Sequence, residues 1–234
     1  VTDSLGHITT FGYDANGNLL SQLDEKLQKV TFTYDELNRI SAKTYSTSDS
    51  TVTYSYDNLT IPHGRGRLHA VTNAHSATIY NGYDEMGNAT SVSKTIAGDA
   101  SVYTTRYEYD FSGKVTRTIY PDGYAVSNTY FPGSGLLQTV SGSDGVEYAR
   151  LSGYAPTGKI GSIEHANGVY TSYTYDPEST RLTAIVTTRS GPTPDLQNKS
   201  YRYTGAGDIK EITDNVKSIS YNYTYDKLHR LIGE

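Results

Sequence analysis

The sequence predicts an all-β chain in which tandem hairpins form one long, curved antiparallel sheet. A short motif of a tyrosine, usually an aspartate directly after it, and a glycine or its equivalent three residues later recurs about ten times. No window keeps apolar residues at the spacing of an amphipathic helix. Repeats of this kind bury their apolar surface against their neighbours, so the repeat decides the architecture.

The clearest copy of the motif lies at residues 107–115. Tyr107 and Tyr109 stand two residues apart, which places both side chains on one face of a strand. Asp110 follows at the start of a turn, where its carboxylate can accept a backbone N–H two residues on. Gly113 is at the position where a type I turn needs a residue with positive φ. The unit is therefore predicted to be strand, turn, strand.

The other copies supply the remaining predicted structural positions. The intervals between repeat tyrosines run from 21 to 28 residues. Two copies carry Asn38 and His229 in place of glycine, and both residue types are enriched at positive φ, which favours a conformational role over a chemical one. The repeat positions are Tyr13, Asp14 and Gly17; Tyr34, Asp35 and Asn38; Tyr56; Tyr83, Asp84 and Gly87; Tyr109, Asp110 and Gly113; Tyr130; Tyr154 and Gly158; Tyr175 and Asp176; Tyr203 and Gly207; Tyr225 and Asp226.

Each repeat is expected to hold two strands and two turns. The runs 31–34 and 51–56 alternate β-branched and aromatic residues as strands do. Residues 57–71 depart from the template, with the glycine delayed to Gly66, and are predicted to form a longer hairpin tip. A further loop is predicted at 191–194, where Gly191, Pro192 and Pro194 interrupt the pattern. Tyrosines at equivalent positions are expected to stack across adjacent strands.

The second turn of each repeat becomes explicit after residue 120. Asp122-Gly123, Asp144-Gly145 and Asn167-Gly168 each separate two alternating segments. Such dipeptides are the strongest short hairpin signals. The whole chain, 1–234, is therefore predicted to be a single array of about ten repeats, with both ends cut from a longer protein.

Composition excludes several classes of function. The absence of cysteine rules out disulfides and thiolate metal sites. The net charge is -5 and the one basic cluster is residues 63–67, so we expect no nucleic-acid partner. No apolar run is long enough to span a bilayer. With 23 tyrosines and no tryptophan, tyrosine and β-branched residues are expected to carry the packing.

The motifs of catalytic and metal sites are missing, so we predict no enzyme activity and no cofactor. Residues 14–18 resemble a calcium loop, but their glycine is in the fourth position and no glutamate closes the ring. The histidines show no metal-binding spacing, and no nucleophile elbow or phosphate loop is present. Tyrosine-rich surfaces also bind sugars, so a carbohydrate-binding or adhesive cell-surface sheet, with glycans as partners, is the alternative.

The repeated pattern Tyr-Asp-x-x-Gly-x-(Leu/Val/Ile) resembles the YD repeat of Rhs proteins. The block 167–177 with Arg181-Leu182 is especially similar to bacterial toxin-complex shell proteins. The resemblance implies a sheet that spirals into a hollow shell around a C-terminal toxin or recognition segment. It further implies a secreted or surface-exposed bacterial protein whose partners are the remaining repeats and that segment. The self-cleaving core of the family has no counterpart in the sequence, so no self-cleavage is expected.

Overall fold

The computed structural model describes residues 1–190 and 195–234, and within them it consists of strands and turns without a helix. This confirms the all-β, antiparallel hairpin fold. The loop predicted at 191–194 lies outside the described residues. Two compact units can be distinguished, Val1–Tyr124 and Ala125–Glu234. Among the described residues there is no helix long and apolar enough to cross a membrane.

The first unit contains ten strands, and each of the first nine pairs antiparallel with the strand that follows it. The strands are β1 (Thr10–Tyr13), β2 (Leu19–Leu23), β3 (Lys29–Tyr34), β4 (Ile40–Tyr45), β5 (Val52–Tyr56), β6 (Leu68–Thr72), β7 (Ser76–Tyr83), β8 (Ala89–Ile96), β9 (Tyr103–Tyr109) and β10 (Val115–Ile119).

The second unit continues the same pattern of consecutive antiparallel pairs from β11 to β19, and β20 pairs with β21. Its strands are β11 (Ala125–Tyr130), β12 (Leu137–Gly142), β13 (Glu147–Ser152), β14 (Ser162–His165), β15 (Val169–Tyr175), β16 (Leu182–Arg189), β17 (Gln197–Tyr203), β18 (Ile209–Asp214), β19 (Ile219–Asn222), β20 (Thr224–Tyr225) and β21 (Leu231–Gly233).

The strand pairing slips by one residue beside the repeat tyrosine. In the second repeat, Thr33 pairs with Ala42 whereas Tyr34 pairs with Ile40, which leaves Ser41 as the additional residue. A three-residue hairpin loop with a left-handed residue creates such a bulge. The bulge returns the chain with its apolar side chains on the face that carries the tyrosines.

The two faces of the sheet differ in chemistry, and the core is thin. Cross-strand hydroxyl pairs line the face opposite the tyrosines, for example Thr53 with Thr72 at 2.6 Å and Ser93 with Thr104 at 2.8 Å. In the described part of the chain only a few residues are buried, among them Tyr83 at 8% exposure. Most of the apolar area is half-covered, as expected for a single layer of strands.

The inserted segment forms the tip of the β5–β6 hairpin and lies against the next repeat. The backbone N–H of Asp57 donates to the carbonyl of Arg67, which closes the tip. The N–H of Tyr83 donates to the carbonyl of Pro62, and a Cβ at Gly82 would lie 3.5 Å from the same proline ring. The longer tip thus packs on its neighbour.

Candidate functional site

The turn that follows the repeat tyrosine is built by the aspartate. In the fifth repeat, the N–H of Gly113 donates to the carbonyl of Asp110 at 3.0 Å, and Gly113 has a φ of 79°. The Oδ1 atom of Asp110 accepts the backbone N–H groups of Ser112 at 2.8 Å and Lys114 at 3.0 Å. One carboxylate oxygen therefore accepts two backbone donors of the same turn.

The same turn recurs along the chain. At each position the Oδ1 atom of the aspartate accepts one or two N–H groups from the following four residues. The aspartates are Asp14, Asp35, Asp84, Asp110, Asp176 and Asp226. In the same turns, the residues with positive φ are Gly17, Asn38, Gly87, Gly113, Thr180 and His229. These hydrogen bonds favour the ionised carboxylate.

The pKa of each of these carboxyl groups is consequently below its ordinary value. For Asp110 the largest cause is the hydrogen bond from the Ser112 hydroxyl, followed by the N–H of Lys114. For Asp35 the largest cause is the N–H of Arg39. Asp176 follows the same rule through the hydroxyl of Ser179.

Sequence reasoning missed two turns of the same construction at the opposite edge of the first unit. Asp3 accepts the N–H groups of Leu5 and His7, and Asp24 accepts that of Gln28 at 2.8 Å. The spacing Asp-x-x-Gly in residues 3–6 was the available signal, but no tyrosine precedes it. Leu27 takes the left-handed position after Asp24 with a φ of 59°.

The repeat tyrosine joins its own repeat to the preceding one through its hydroxyl. The O–H of Tyr109 donates to the carbonyl of Ala89 at 2.8 Å, just after the turn of the fourth repeat. Equivalent bonds of 2.5 to 3.0 Å join Tyr34 to Leu19, Tyr56 to Ile40, Tyr83 to Leu68, Tyr154 to Leu137, Tyr175 to Ile160 and Tyr203 to Leu182. We call this arrangement the repeat junction.

Burial of several of these rings raises the pKa of the hydroxyl further above its ordinary value, in the direction that favours the protonated donor. Desolvation is the largest cause that raises the pKa of Tyr83, Tyr109 and Tyr154. A basic side chain covers several of the rings: the guanidinium of Arg39 lies 4.3 Å from the ring centre of Tyr56. Cation–π contacts at this range add to the packing. The same contact joins Arg67 to Tyr83, Lys159 to Tyr175 and Arg181 to Tyr203.

The expected stacking of equivalent tyrosines is not the contact that the structure shows. In the described residues, ring contacts join Tyr80 to Tyr83 and Tyr107 to Tyr109 within one strand, and Phe131 to Tyr154 across a junction. Equivalent tyrosines stand two strands apart, about 10 Å at a strand spacing near 4.8 Å, which is beyond stacking distance. The hydroxyl spans part of that gap and reaches the carbonyl instead.

Two neighbouring repeats of the second unit, the sixth and seventh, lack the turn aspartate. Phe131 and Ala155 take its place, and Phe131 packs edge-on against Tyr154 with ring centres 6.0 Å apart. A shallow cleft of about 740 Å³ lies between these turns, lined by side chains that include Leu136 and Pro156. The ninth repeat uses Thr204, whose Oγ1 accepts the N–H groups of Gly207 and Asp208. Gly158 and Gly207 have a positive φ although their turns lack the aspartate.

The first and last repeat tyrosines differ from the rest. Tyr13 is 60% exposed, whereas Tyr225 is half-buried in the short β20–β21 hairpin. Within 1–190 and 195–234, no three acidic or histidine side chains are grouped so that they could hold a metal ion. The histidines of the inserted segment are not paired with each other: His69 contacts the Asn58 amide at 3.1 Å.

Comparisons with known proteins agree with this geometry. The family model described as RHS Repeat matches residues 13–50. The toxin subunit YenC2 of Yersinia entomophaga is 30% identical over 168 residues, which cover 64% of this chain and 17% of YenC2. The crystal structure of TcdB2-TccC3-Cdc42 superposes with a TM-score of 0.78 at 21% identity, over 96% of this chain and 13% of that one.

A second structure gives the same result. The Tc holotoxin pore of Photorhabdus luminescens superposes with a TM-score of 0.76 at 20% identity, over 96% of this chain and 12% of that one. The chain spans less than a fifth of the length of these relatives. Family model, sequence relative and fold agree: the chain contains an RHS repeat at residues 13–50, and its fold is similar to that of toxin-complex components.

Proposed function

We propose that the chain is a non-catalytic structural segment of a toxin-complex-like protein. It forms part of a β-shell that encloses or presents a C-terminal toxin or recognition segment of the same parent. Its partners are the remaining repeats and that segment. Because the relatives are bacterial toxin components, the parent is a secreted or cell-surface bacterial protein.

The observation that carries the proposal is the use of the repeat tyrosines. At seven junctions the tyrosine hydroxyl donates to the backbone of the preceding repeat. A wall one strand thick has little apolar core, and hydrogen bonds that repeat at every junction supply the continuity that a shell needs. A catalytic or binding surface would need such residues at only a few positions.

The carbohydrate-binding alternative needs tyrosine rings that are free to stack on sugars. Tyr103 and Tyr120 are the exposed tyrosines that line one cleft, together with Pro121 and Asp122. A glycan array on the 234-residue chain is expected to be blank. Reproducible binding that Tyr103→Ala or Tyr120→Ala abolishes would favour the alternative and count against a purely structural role.

Limited proteolysis of the parent protein, as expressed from its own gene, tests the shell role. We expect its C-terminal segment to resist a non-specific protease while the repeats are intact. In the variant Tyr109→Ala/Tyr175→Ala, which breaks one junction in each unit, the same segment should be degraded at least tenfold faster. The exposed-site variant Tyr103→Ala is the control and should leave protection unchanged. Equal degradation in the wild type and the junction variant would overturn the proposal.

A further inference from the structure

The residue that follows the left-handed residue of a repeat turn lies against the left-handed residue of the next repeat. We call it the follower. Within the two units the contacting pairs, each given as follower and facing residue, are Asn18 and Asn38, Arg39 and Asp57, Arg67 and Gly87, Asn88 and Gly113, Leu136 and Gly158, Lys159 and Thr180, Arg181 and Gly207, and Asp208 and His229. Every facing residue has a positive φ; in the third repeat it is Asp57, at the start of the inserted segment, and not Gly66.

Two arginine followers face glycine, and both occupy the space that a side chain would need. A Cβ at Gly87 would lie 3.0 Å from Nη2 and 3.3 Å from Nε of Arg67. A Cβ at Gly207 would lie 2.6 Å from Nη2 of Arg181. Arg67 is held in place, because it also donates to the carbonyl of His63. A side chain at either glycine would therefore have to displace the guanidinium, and glycine avoids this conflict as well as the strain of a positive φ.

Short followers leave room for a side chain, and in two pairs that side chain hydrogen-bonds to the follower. The amide of Asn18 donates to Oδ1 of Asn38 at 2.8 Å. Asp208 contacts Nδ1 of His229 at 2.9 Å. Asn88 comes no closer than 3.7 Å to the position of a Cβ on Gly113, so this glycine has space that its neighbour does not use.

We propose that the follower and the facing residue form a matched pair, and that this match determines which repeats can pack as neighbours. An arginine follower fits against a glycine, as at Gly87 and Gly207, or against an acidic side chain that pairs with it, as Arg39 does with Asp57, and an asparagine or aspartate follower accepts a turn with a polar side chain. The partner surface is thus another repeat turn, selected by side-chain size and hydrogen bonding. This pairing does not rest on the shell function, because it concerns only which turns fit together.

A double-mutant cycle at the junction of the third and fourth repeats tests the pairing of Arg67 and Gly87 on the full 234-residue chain. Gly87→Asn should lower the thermal midpoint strongly, because the new side chain meets Arg67. Arg67→Asn/Gly87→Asn recreates the pair of Asn18 and Asn38. In the Arg67→Asn background, Gly87→Asn should therefore lower the midpoint by less than half of its effect in the wild type. An equal effect in both backgrounds would overturn the proposal.

A second cycle, on Asn88 and Gly113 at the junction of the fourth and fifth repeats, should show a coupling of the opposite sign. Gly113→Asn alone should be nearly neutral, because Asn88 leaves space. Asn88→Arg alone should also be tolerated, since Arg39 at the equivalent position hydrogen-bonds its own turn aspartate, Asp35, at 2.7 Å. The double variant Asn88→Arg/Gly113→Asn should lower the thermal midpoint by more than twice the sum of the decreases caused by the two single substitutions.

Together, the two cycles test the proposal even when some variants do not fold. If Gly87→Asn fails to fold but Arg67→Asn/Gly87→Asn folds, the rescue supports the pairing. If neither folds, the variants of Asn88 and Gly113 decide it. Additive effects in the cycle of Asn88 and Gly113 would then overturn the proposal. Intact proteolytic protection in the parent protein would not rescue it, because that measurement tests the shell.

Discussion

At the scale of single residues, the repeat tyrosine acts through its hydroxyl as much as through its ring. Tyr109 donates to the carbonyl of Ala89, whereas the hydroxyl of Tyr107, two residues earlier on the same strand, has no hydrogen bond among the described residues. Neutral hydrogen bonds of this type contribute roughly 1 kcal/mol to stability, and an acceptor left without its donor adds to the loss.

Tyr109→Phe is therefore expected to lower the free energy of unfolding by about 1 kcal/mol. Tyr107→Phe is the matched control and should cost much less, because it removes only an oxygen without a protein partner. Urea denaturation of both variants makes the comparison. Equal losses would mean that the junction bond does not contribute to stability.

The turn aspartates predict how stability depends on pH. Their pKa values are lower in the folded chain than in the unfolded chain, so the unfolded state binds protons more readily. Stability from this source is complete above the unfolded value near 4 and decreases as the pH falls below it. The contribution of these aspartates to the thermal midpoint should be level between about pH 5 and 7 and drop below about pH 4.

Asp110→Asn should flatten part of this acid loss. The asparagine Oδ1 can accept the same N–H groups of Ser112 and Lys114, so the turn is retained at neutral pH. Below pH 4, however, there is no carboxylate at this position to protonate. The gap between wild type and variant should therefore narrow in acid, and curves that stay parallel down to pH 3 would contradict the assignment.

At the scale of the hairpin, the left-handed residue closes the turn and sets the bulge. Gly113 has a φ of 79°, a region in which a Cβ is strained and β-branched residues are worst. Gly113→Val should cost about 1–2 kcal/mol, and Gly113→Asn much less. The denaturation midpoints of the two variants decide the point. A valine tolerated as well as asparagine would disprove the turn geometry.

At the scale of the whole molecule, each repeat depends on its immediate neighbours, because within each unit the described strands pair with the strands next to them along the chain. Stability of such arrays is approximately a sum of repeat and junction contributions. A broken junction is thus expected to loosen the hairpins that it joins and to leave distant ones as they were.

Native-state hydrogen exchange on Tyr175→Phe tests this locality. Tyr175 donates to the carbonyl of Ile160 at 3.0 Å, which joins the seventh and eighth repeats. Amides of β14–β16 should exchange faster in the variant, whereas those of β5–β8 in the first unit should be unchanged. A uniform increase over both units would show that the chain opens as one cooperative body.

The sequence by itself determined the local structure, because local chemistry is enough to define a turn. Asp110 and Gly113 are three residues apart, and the hydrogen bonds and φ that they require lie within that span. The alternation of apolar and polar residues likewise decided which side chains share a face. The turn that starts at Asp24, at the opposite edge, was not predicted from the sequence because leucine, here Leu27, rarely adopts a positive φ.

Only the tertiary structure decided how one repeat recognises the next. The carbonyl that accepts the Tyr175 hydroxyl lies 15 residues away, and that which accepts Tyr203 lies 21 residues away, because the intervening loops differ in length. Sequence spacing therefore cannot identify the acceptor. Nor can it show that Arg181 fills the space beside Gly207, since that contact arises from the docking of two turns. The turns are local, whereas the junctions depend on how separate hairpins pack.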